Sequence, residues 1–304
     1  MRDCWHFITK EGFIFTTRGF NHPSGFIIAI GLYYPDIGGD RAYLGTNYSK
    51  DVDEYGDKWV GKCKPEYIRR DDKGNRILVP LGDIKKYFDP FSVSDEKRDL
   101  IKKTRWGNLI TTLESFIPKE DIGFIGSYLI GFQTQNSDID VVIRGIKNLK
   151  KIKDNFNLIL EKLGATQDLD EHMKRISLEK YNRLYKGKND FARMIKNRWP
   201  TIRTKDYTTK LRFVPRPDEI VFPKINNKIK EIKLSGEVIE DIGTNFMPRF
   251  FKIKNKDGEY SILTYFWDYT YCVKNGDYVN VVGSLFEDNL VMVNNKDEHG
   301  ITFK

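Results

Sequence analysis

Two aspartates and a Gly-Ser pair lie close together in the chain, and these residue types can bind a phosphate and its metal ion. The stretch 122–144 reads IGFIGSYLIGFQTQNSDIDVVIR, with Gly126 and Ser127 near its start and Asp138 and Asp140 near its end. Residues two apart on a strand share a face, so a strand over 138–143 would direct both carboxylates to one place. Two such charges repel each other unless a cation lies between them, and Mg²⁺ prefers oxygen ligands.

The Gly-Ser pair offers a site for an anion. The apolar run Ile122–Ile125 predicts a buried strand, and Gly126 and Ser127 would turn the chain from it into a short helix over 128–132. Backbone N–H groups at a helix start donate to phosphates, the Ser127 hydroxyl adds another donor, and Gly126 allows a close backbone approach. One segment therefore predicts both a phosphate cradle and a carboxylate pair, which suits a metal-bound nucleotide.

The complete pattern resembles the signature of the DNA polymerase β-like nucleotidyltransferase superfamily. An apolar residue and Gly-Ser (Ile125, Gly126, Ser127) are followed, after ten residues, by Asp-apolar-Asp-apolar, which is Asp138–Val141 here. The resemblance covers about the middle third of the chain. The opening of the chain also resembles uncharacterised archaeal proteins described as predicted nucleotidyltransferases.

The resemblance implies an enzyme that moves a nucleoside monophosphate from an NTP to an acceptor and releases pyrophosphate. Asp138 and Asp140 would be the catalytic residues and would bind Mg²⁺, with Mn²⁺ as a substitute and a second metal ion possible. Gly126, Ser127 and Arg212 would bind the nucleotide. Active members of the superfamily place a third carboxylate on a later strand, because two-metal phosphoryl transfer requires it.

The strand predicted over 207–214 departs from this pattern. Its outward positions carry Lys210 and Arg212, and the nearest acid is Asp206, at the entry to the strand. Three functions therefore stay open. The chain is an active nucleotidyltransferase with a nucleic-acid acceptor, a catalytically weak or inactive relative that binds nucleic acid, or an enzyme that nucleotidylates proteins.

Sequence patterns predict an α+β multidomain protein with three domains. Residues 1–90 are β-rich, with a short helix at 83–88, and would bind nucleic acid or substrate. Residues 91–216 would form a nucleotidyltransferase-type mixed sheet with helices. Residues 227–304 contain five short strands that resemble an OB-fold, a small nucleic-acid-binding β-barrel. Six side chains of this last domain would offer stacking surfaces to bases: Phe246, Arg249, Phe250, Tyr265, Trp267 and Tyr269.

The positive charge of the chain favours a polyanionic binding partner. The chain has 304 residues and a net charge of +8, and residues 173–212 hold thirteen Lys and Arg against three Asp and Glu. Such a run is often only a solvated helical face. After a nucleotide-binding motif, however, it indicates contact with a triphosphate or a nucleic acid, with RNA favoured over DNA. The sequence shows no membrane-length apolar run and no signal peptide, and its three cysteines are scattered, so we expect a cytoplasmic protein with no membrane partner.

Overall fold

The structure is a computed structural model with a mixed α+β fold. It describes residues 3–50, 57–71, 73–134, 137–167, 174–175, 178–179, 199–266, 269, 273–295 and 297–303. The chain divides into two compact units. The first comprises Met1–Arg69, Arg76–Gln167 and Pro200–Ile220, and the second comprises Arg70–Asn75, Asp168–Trp199 and Val221–Lys304. The three predicted domain boundaries stay a prediction.

The chain begins with strands that we call the N-terminal sheet. They are β1 (His6–Thr9), β2 (Ile14–Thr17), β3 (Phe26–Pro35), β4 (Arg41–Tyr43), β5 (Thr46–Lys50), β6 (Ile68–Asp71), β7 (Gly74–Pro80) and β8 (Ile84–Phe88). Their order is β4-β5-β3-β2-β1-β8, and β7 also pairs with β3. Helix α1 (Asp57–Cys63) buries Trp59 in the core of this sheet, where Gly31 leaves room for the indole ring.

The helix predicted at 83–88 is wrong, because this segment forms β8. It pairs antiparallel with β1, so that His6 lies opposite Phe88 and Phe7 opposite Tyr87. The sequence Ile-Lys-Lys-Tyr-Phe does not show the alternation of apolar and polar residues that marks a half-buried strand. The segment is a strand because the edge of β1 offers it backbone hydrogen bonds.

The next part of the first unit carries the predicted motif. Its elements are α2 (Asp95–Lys102), α3 (Gly107–Glu114), β9 (Ile122–Ile125), α4 (Ser127–Ile130), β10 (Asp140–Arg144), α5 (Ile146–Asp154), α6 (Phe156–Leu163), β11 (Thr201–Arg203), β12 (Thr208–Lys210) and β13 (Arg212–Val214). Strands β13, β10 and β9, in that order, form a mixed three-stranded sheet that we call the site sheet. It is mixed because β9 runs antiparallel to β10 and β13 runs parallel to it.

Two predicted strands have different bounds in the structure. The strand predicted over 207–214 is divided at Leu211 into β12, which pairs with β11, and β13, which pairs with β10. At the division, the Leu211 N–H donates to the Pro200 carbonyl at 3.2 Å. The strand predicted over 138–143 begins at Asp140, so Asp138 lies in the loop before β10.

A buried carboxylate holds together one end of the site sheet. Asp121, directly before β9, accepts hydrogen bonds from Arg144 Nε at 3.0 Å and from Asn148 Nδ2 at 2.8 Å. Arg216, two residues after β13, donates to both Asp121 oxygens at 2.8 and 2.7 Å. Because its partners belong to or follow β10 and β13, Asp121 links all three strands.

The end of the chain forms a closed barrel. Its strands are β14 (Lys228–Glu240), β15 (Arg249–Asn255), β16 (Gly258–Thr264), β17 (Tyr278–Phe286), β18 (Leu290–Met292) and β19 (Gly300–Phe303). Five of them close in the order β14-β15-β16-β18-β17, because β17 pairs again with β14, and β19 pairs with the other edge of β17. The predicted small closed barrel is thus confirmed. Within the part of the chain that the structure describes, no helix is long and apolar enough to cross a membrane.

Candidate nucleotide site

The predicted motif lies at the end of the site sheet that is far from Asp121. Ile125, the last residue of β9, lies opposite Asp140, the first residue of β10. On the other side of β10, Arg212 begins β13 and lies opposite Val142. The turn at Gly126, the carboxylate of Asp140 and the guanidinium of Arg212 therefore lie at one end of three neighbouring strands.

Gly126 is the residue on which this arrangement most depends. Its backbone has φ 67° and ψ −142°, a conformation that residues with a Cβ atom rarely adopt. A Cβ atom at this position would lie 3.0 Å from Asp140 Oδ2, so the turn and the carboxylate are in close contact. Ser127 follows as the first residue of α4 and is half-buried.

The two aspartates differ in exposure. Asp138 is exposed, whereas the Asp140 side chain retains 36% of its accessible surface and lies 3.5 Å from Arg212, measured from Oδ1 to Nη2. Burial raises the pKa of Tyr33 to about 12; Arg41 opposes this rise, while the charges of Asp140 and Asp138 both contribute to it. Asp138 lies in the loop that leads into β10, two residues before Asp140.

The donor set is suited to a single hard cation. Mg²⁺ is commonly held by one or two carboxylates together with substrate phosphates, and Asp138 and Asp140 could supply those carboxylates. Among the described residues, no three His, Cys, Asp or Glu side chains come together as a metal site. Asp206, the candidate for a third acid, is exposed in the turn between β11 and β12, where its N–H donates to Thr204 Oγ1. Arg212 lies beside Asp140 instead, so Asp138 and Asp140 are the carboxylates that these described residues offer to a metal ion.

The N-terminal sheet also reaches this end of the site sheet, which sequence reasoning missed. His6 Nε2 accepts a hydrogen bond from the Gly126 N–H at 2.8 Å. Arg41 Nη1 donates to the Phe132 carbonyl at 3.3 Å, and Tyr33 packs edge-on against the Phe132 ring. These residues are 91 to 120 positions from their partners, and no local pattern marks them.

His6 lies in a region of opposed charges. Burial lowers its pKa from 6.5 to about 4. The positive charge of Arg212 acts in the same direction, whereas the negative charge of Asp140 acts against it. Cys4, two residues earlier, is buried with Ile125 and Val142 at the site sheet, and burial raises the pKa of its thiol. At neutral pH both side chains are therefore uncharged.

The predicted basic segment is only partly visible. Of residues 173–212, the structure describes 174–175, 178–179 and 199–212, and the other cations of the segment lie outside the described residues. Within the visible part, Lys210 is exposed and Arg212 is half-buried at the site.

The predicted stacking surface of the barrel is wrong for most of its members. Phe246, Phe250 and Tyr269 are buried and fill the interior of this region, where bases cannot reach them. Arg249 is buried as well, and its Nη1 donates to the Phe246 carbonyl. Tyr265 is half-buried, and Trp267 lies outside the described residues. Residues 227–304 contain ten Lys and Arg against twelve Asp and Glu, so the barrel is not basic.

Comparison with known proteins agrees with the geometry of the site sheet. No curated protein and no solved structure matches the chain. The family model described as the nucleotidyltransferase domain matches residues 107–232. This span contains the whole site sheet, with Gly126, Ser127, Asp138, Asp140 and Arg212. Residues 107–232 are thus similar to the nucleotidyltransferase domain, which supports a transferase of nucleotidyl groups that takes an NTP as substrate.

Proposed function

We propose that this protein is a polymerase β-like nucleotidyltransferase that moves a nucleoside monophosphate from an NTP to a nucleic-acid acceptor. Pyrophosphate is the second product. The observation that carries the proposal is the meeting of Gly126, Asp140 and Arg212 at one end of the site sheet. Arg212 Nη2 lies 3.5 Å from Asp140 Oδ1, and a Cβ atom at Gly126 would lie 3.0 Å from Asp140 Oδ2. A phosphate-binding turn, a carboxylate and a cation are the groups that nucleotidyl transfer requires.

Each residue has a role that follows from its chemistry. Asp138 and Asp140 hold one Mg²⁺ or Mn²⁺ ion, which when bound neutralises phosphate charge and polarises the attacking hydroxyl. The Ser127 N–H and hydroxyl donate to the β- and γ-phosphates, since the Gly126 N–H is already bonded to His6. Arg212 supplies a fixed positive charge for the triphosphate, on the strand where the third carboxylate is missing.

We assign the contact with the acceptor to the basic segment 173–212 rather than to the barrel. The segment has the charge that binds a nucleic-acid backbone, with RNA favoured over DNA. The barrel is slightly acidic and buries most of its candidate stacking side chains. We retain the likeness of the barrel to an OB-fold, the three-domain division, the archaeal type and a cytoplasmic location as parts of this proposal.

One observation favours a second candidate, a catalytically weak or inactive nucleotidyltransferase fold that binds nucleic acid. The Arg212 guanidinium lies 3.5 Å from Asp140, where it competes with a metal ion for the carboxylate. A protein of this kind would bind RNA with an affinity that falls steeply with salt, and it would release no pyrophosphate with any NTP.

The test is a screen for acceptors with variants of the carboxylates. Purified protein is incubated with each α-labelled NTP, with Mg²⁺ or Mn²⁺, and with total RNA, DNA or a protein extract. We expect label in RNA, loss of at least about a hundredfold in Asp138→Asn and Asp140→Asn, and unchanged labelling in Asp206→Asn, an exposed acid outside the pair.

Each other outcome has a definite meaning. Full labelling by Asp140→Asn would show that transfer does not need the carboxylate pair. Label in protein instead of RNA would show that the acceptor is a protein and not a nucleic acid. Salt-dependent RNA binding without pyrophosphate release would favour the inactive alternative.

A further inference from the structure

The hydrogen bond between His6 and Gly126 joins the N-terminal sheet to the turn of the candidate site. His6 is 2% exposed and lies in β1 between Thr16 of β2 and Phe88 of β8, so strands on both sides hold it in place. Gly126 follows the last paired residue of β9, beyond the ladder with β10. Its N–H would have no ladder partner there, and His6 Nε2 accepts it at 2.8 Å.

This bond specifies the chemical state of the imidazole. Nε2 accepts a proton only with a free lone pair, so the ring must be neutral, with its proton on Nδ1. The low pKa of about 4, caused mainly by burial, keeps the ring neutral at physiological pH. The lone pair that accepts the Gly126 N–H is therefore available at neutral pH.

We propose that His6 is a positioning residue of the nucleotidyl-transfer site, which holds the Gly126 turn against Asp140. The inference rests on the function proposed above. The turn has a positive φ and a carboxylate oxygen 3.0 Å from the position of a Cβ atom, so a small rotation at Gly126 changes its spacing from Asp140. The same rotation reorients the Ser127 N–H, which follows in the chain and would face the phosphates.

Three variants separate positioning from general stability. In His6→Gln, the side-chain oxygen is as many bonds from the backbone as Nε2 and can accept the same hydrogen bond. In His6→Asn, the oxygen is one bond shorter and cannot reach. The matched control is His22→Ala, which removes a similar acceptor, since His22 Nδ1 also accepts a backbone N–H, from Ile28 at 3.2 Å, and the candidate site contains no residue of that loop.

We expect His6→Asn to lower kcat/KM for the NTP by about 10- to 100-fold, since the partly buried Gly126 N–H loses its partner. His6→Gln should stay within about threefold of the wild type, and His22→Ala should not change kcat/KM. Circular dichroism and thermal unfolding verify that each variant is folded. A normal kcat/KM in folded His6→Asn would overturn the positioning role.

A second readout does not depend on catalysis. Amide hydrogen exchange of Gly126, measured by NMR without nucleotide or divalent ions, should accelerate at least about tenfold in His6→Asn and remain slow in His6→Gln. Fast exchange together with normal kcat/KM would mean that the bond is structural only. If the wild type transfers nothing, the proposed function fails. The dissociation constant of each Mg·NTP then tests His6, and equal affinity in wild type and His6→Asn overturns its role.

Discussion

Lowering the pH should unfold this protein partly through His6. The ring has a pKa of about 4 in the folded protein and 6.5 when exposed, because burial disfavours the charged form. Between these two values the unfolded chain binds a proton that the folded protein does not. The free energy of unfolding therefore falls as the pH drops from about 7.5 towards 4, and His6 contributes almost no pH dependence above about 7.5.

The size of the effect follows from the difference between the two pKa values. At 1.36 kcal/mol per pKa unit, this difference corresponds to roughly 3 kcal/mol lost between pH 7 and pH 4. A typical domain has about 5–15 kcal/mol of stability, so the loss is a substantial part of the total. Protonation also removes the acceptor for the Gly126 N–H, so the turn should loosen over the same pH range.

The assay is urea unfolding of wild type and His6→Gln at a series of pH values between 4 and 7.5, with EDTA present. The difference between the two free energies isolates His6, because the pH dependence of all other groups is common to both. This includes His299, whose pKa burial also lowers. We expect the wild type to lose roughly 3 kcal/mol more than His6→Gln. Parallel curves for the two proteins would show that His6 does not cause this loss of stability.

Three further substitutions test other contacts. Asp121→Asn should destabilise the protein by about 3 kcal/mol, since it leaves two arginines without their shared carboxylate, and kcat/KM of the folded fraction should not change. Gly126→Ala should abolish transfer, because alanine is strained at φ 67° and its Cβ would meet Asp140. Arg212→Gln should weaken NTP binding by at least about tenfold, with a reduced dependence on salt. Urea unfolding, the transfer assay and equilibrium titration measure the three effects, respectively.

Each of these substitutions has a control or a contradicting outcome. Gly131→Ala introduces a Cβ at a similar positive φ, 99°, with no atom within 4 Å of it, so it should cost stability but preserve transfer. Equal activity of the two alanine variants would contradict the contact with Asp140. Lys210→Gln removes a nearby exposed cation. If it weakened NTP binding as much as Arg212→Gln does, the loss would reflect net charge and not the position of Arg212. A change in kcat/KM with Asp121→Asn would show that the two ends of the site sheet are coupled.

The parts of the fold that sequence predicted are those that local residues determine. The strand Ile122–Ile125 is confirmed with its predicted bounds, because four buried residues are followed by a glycine that ends it. The barrel strands followed from their apolar patterns and turns. In the candidate site, the pairing of β9 with β10 brings Gly126 to Asp140 as the motif suggested.

The parts that sequence missed depend on distant partners. The strand predicted over 207–214 is divided at Leu211 because its two halves pair with different strands. Residues 84–88 form a strand because β1 offers an edge to them. His6 joins the site across 120 positions of the chain, and as a single histidine in an apolar strand it resembles any core histidine. Only the three-dimensional arrangement reveals its hydrogen bond.

The position of the label that leaves the NTP is the strongest test of nucleotidyl transfer by this protein. Parallel reactions with α-labelled and γ-labelled NTP, Mg²⁺ and total RNA distinguish nucleotidyl transfer from phosphoryl transfer and from hydrolysis. We expect α-label in RNA and γ-label in pyrophosphate in equal amounts, with both lost in Asp140→Asn. Transfer of γ-label to an acceptor, or release of γ-label as inorganic phosphate without α-label in RNA, would contradict this expectation.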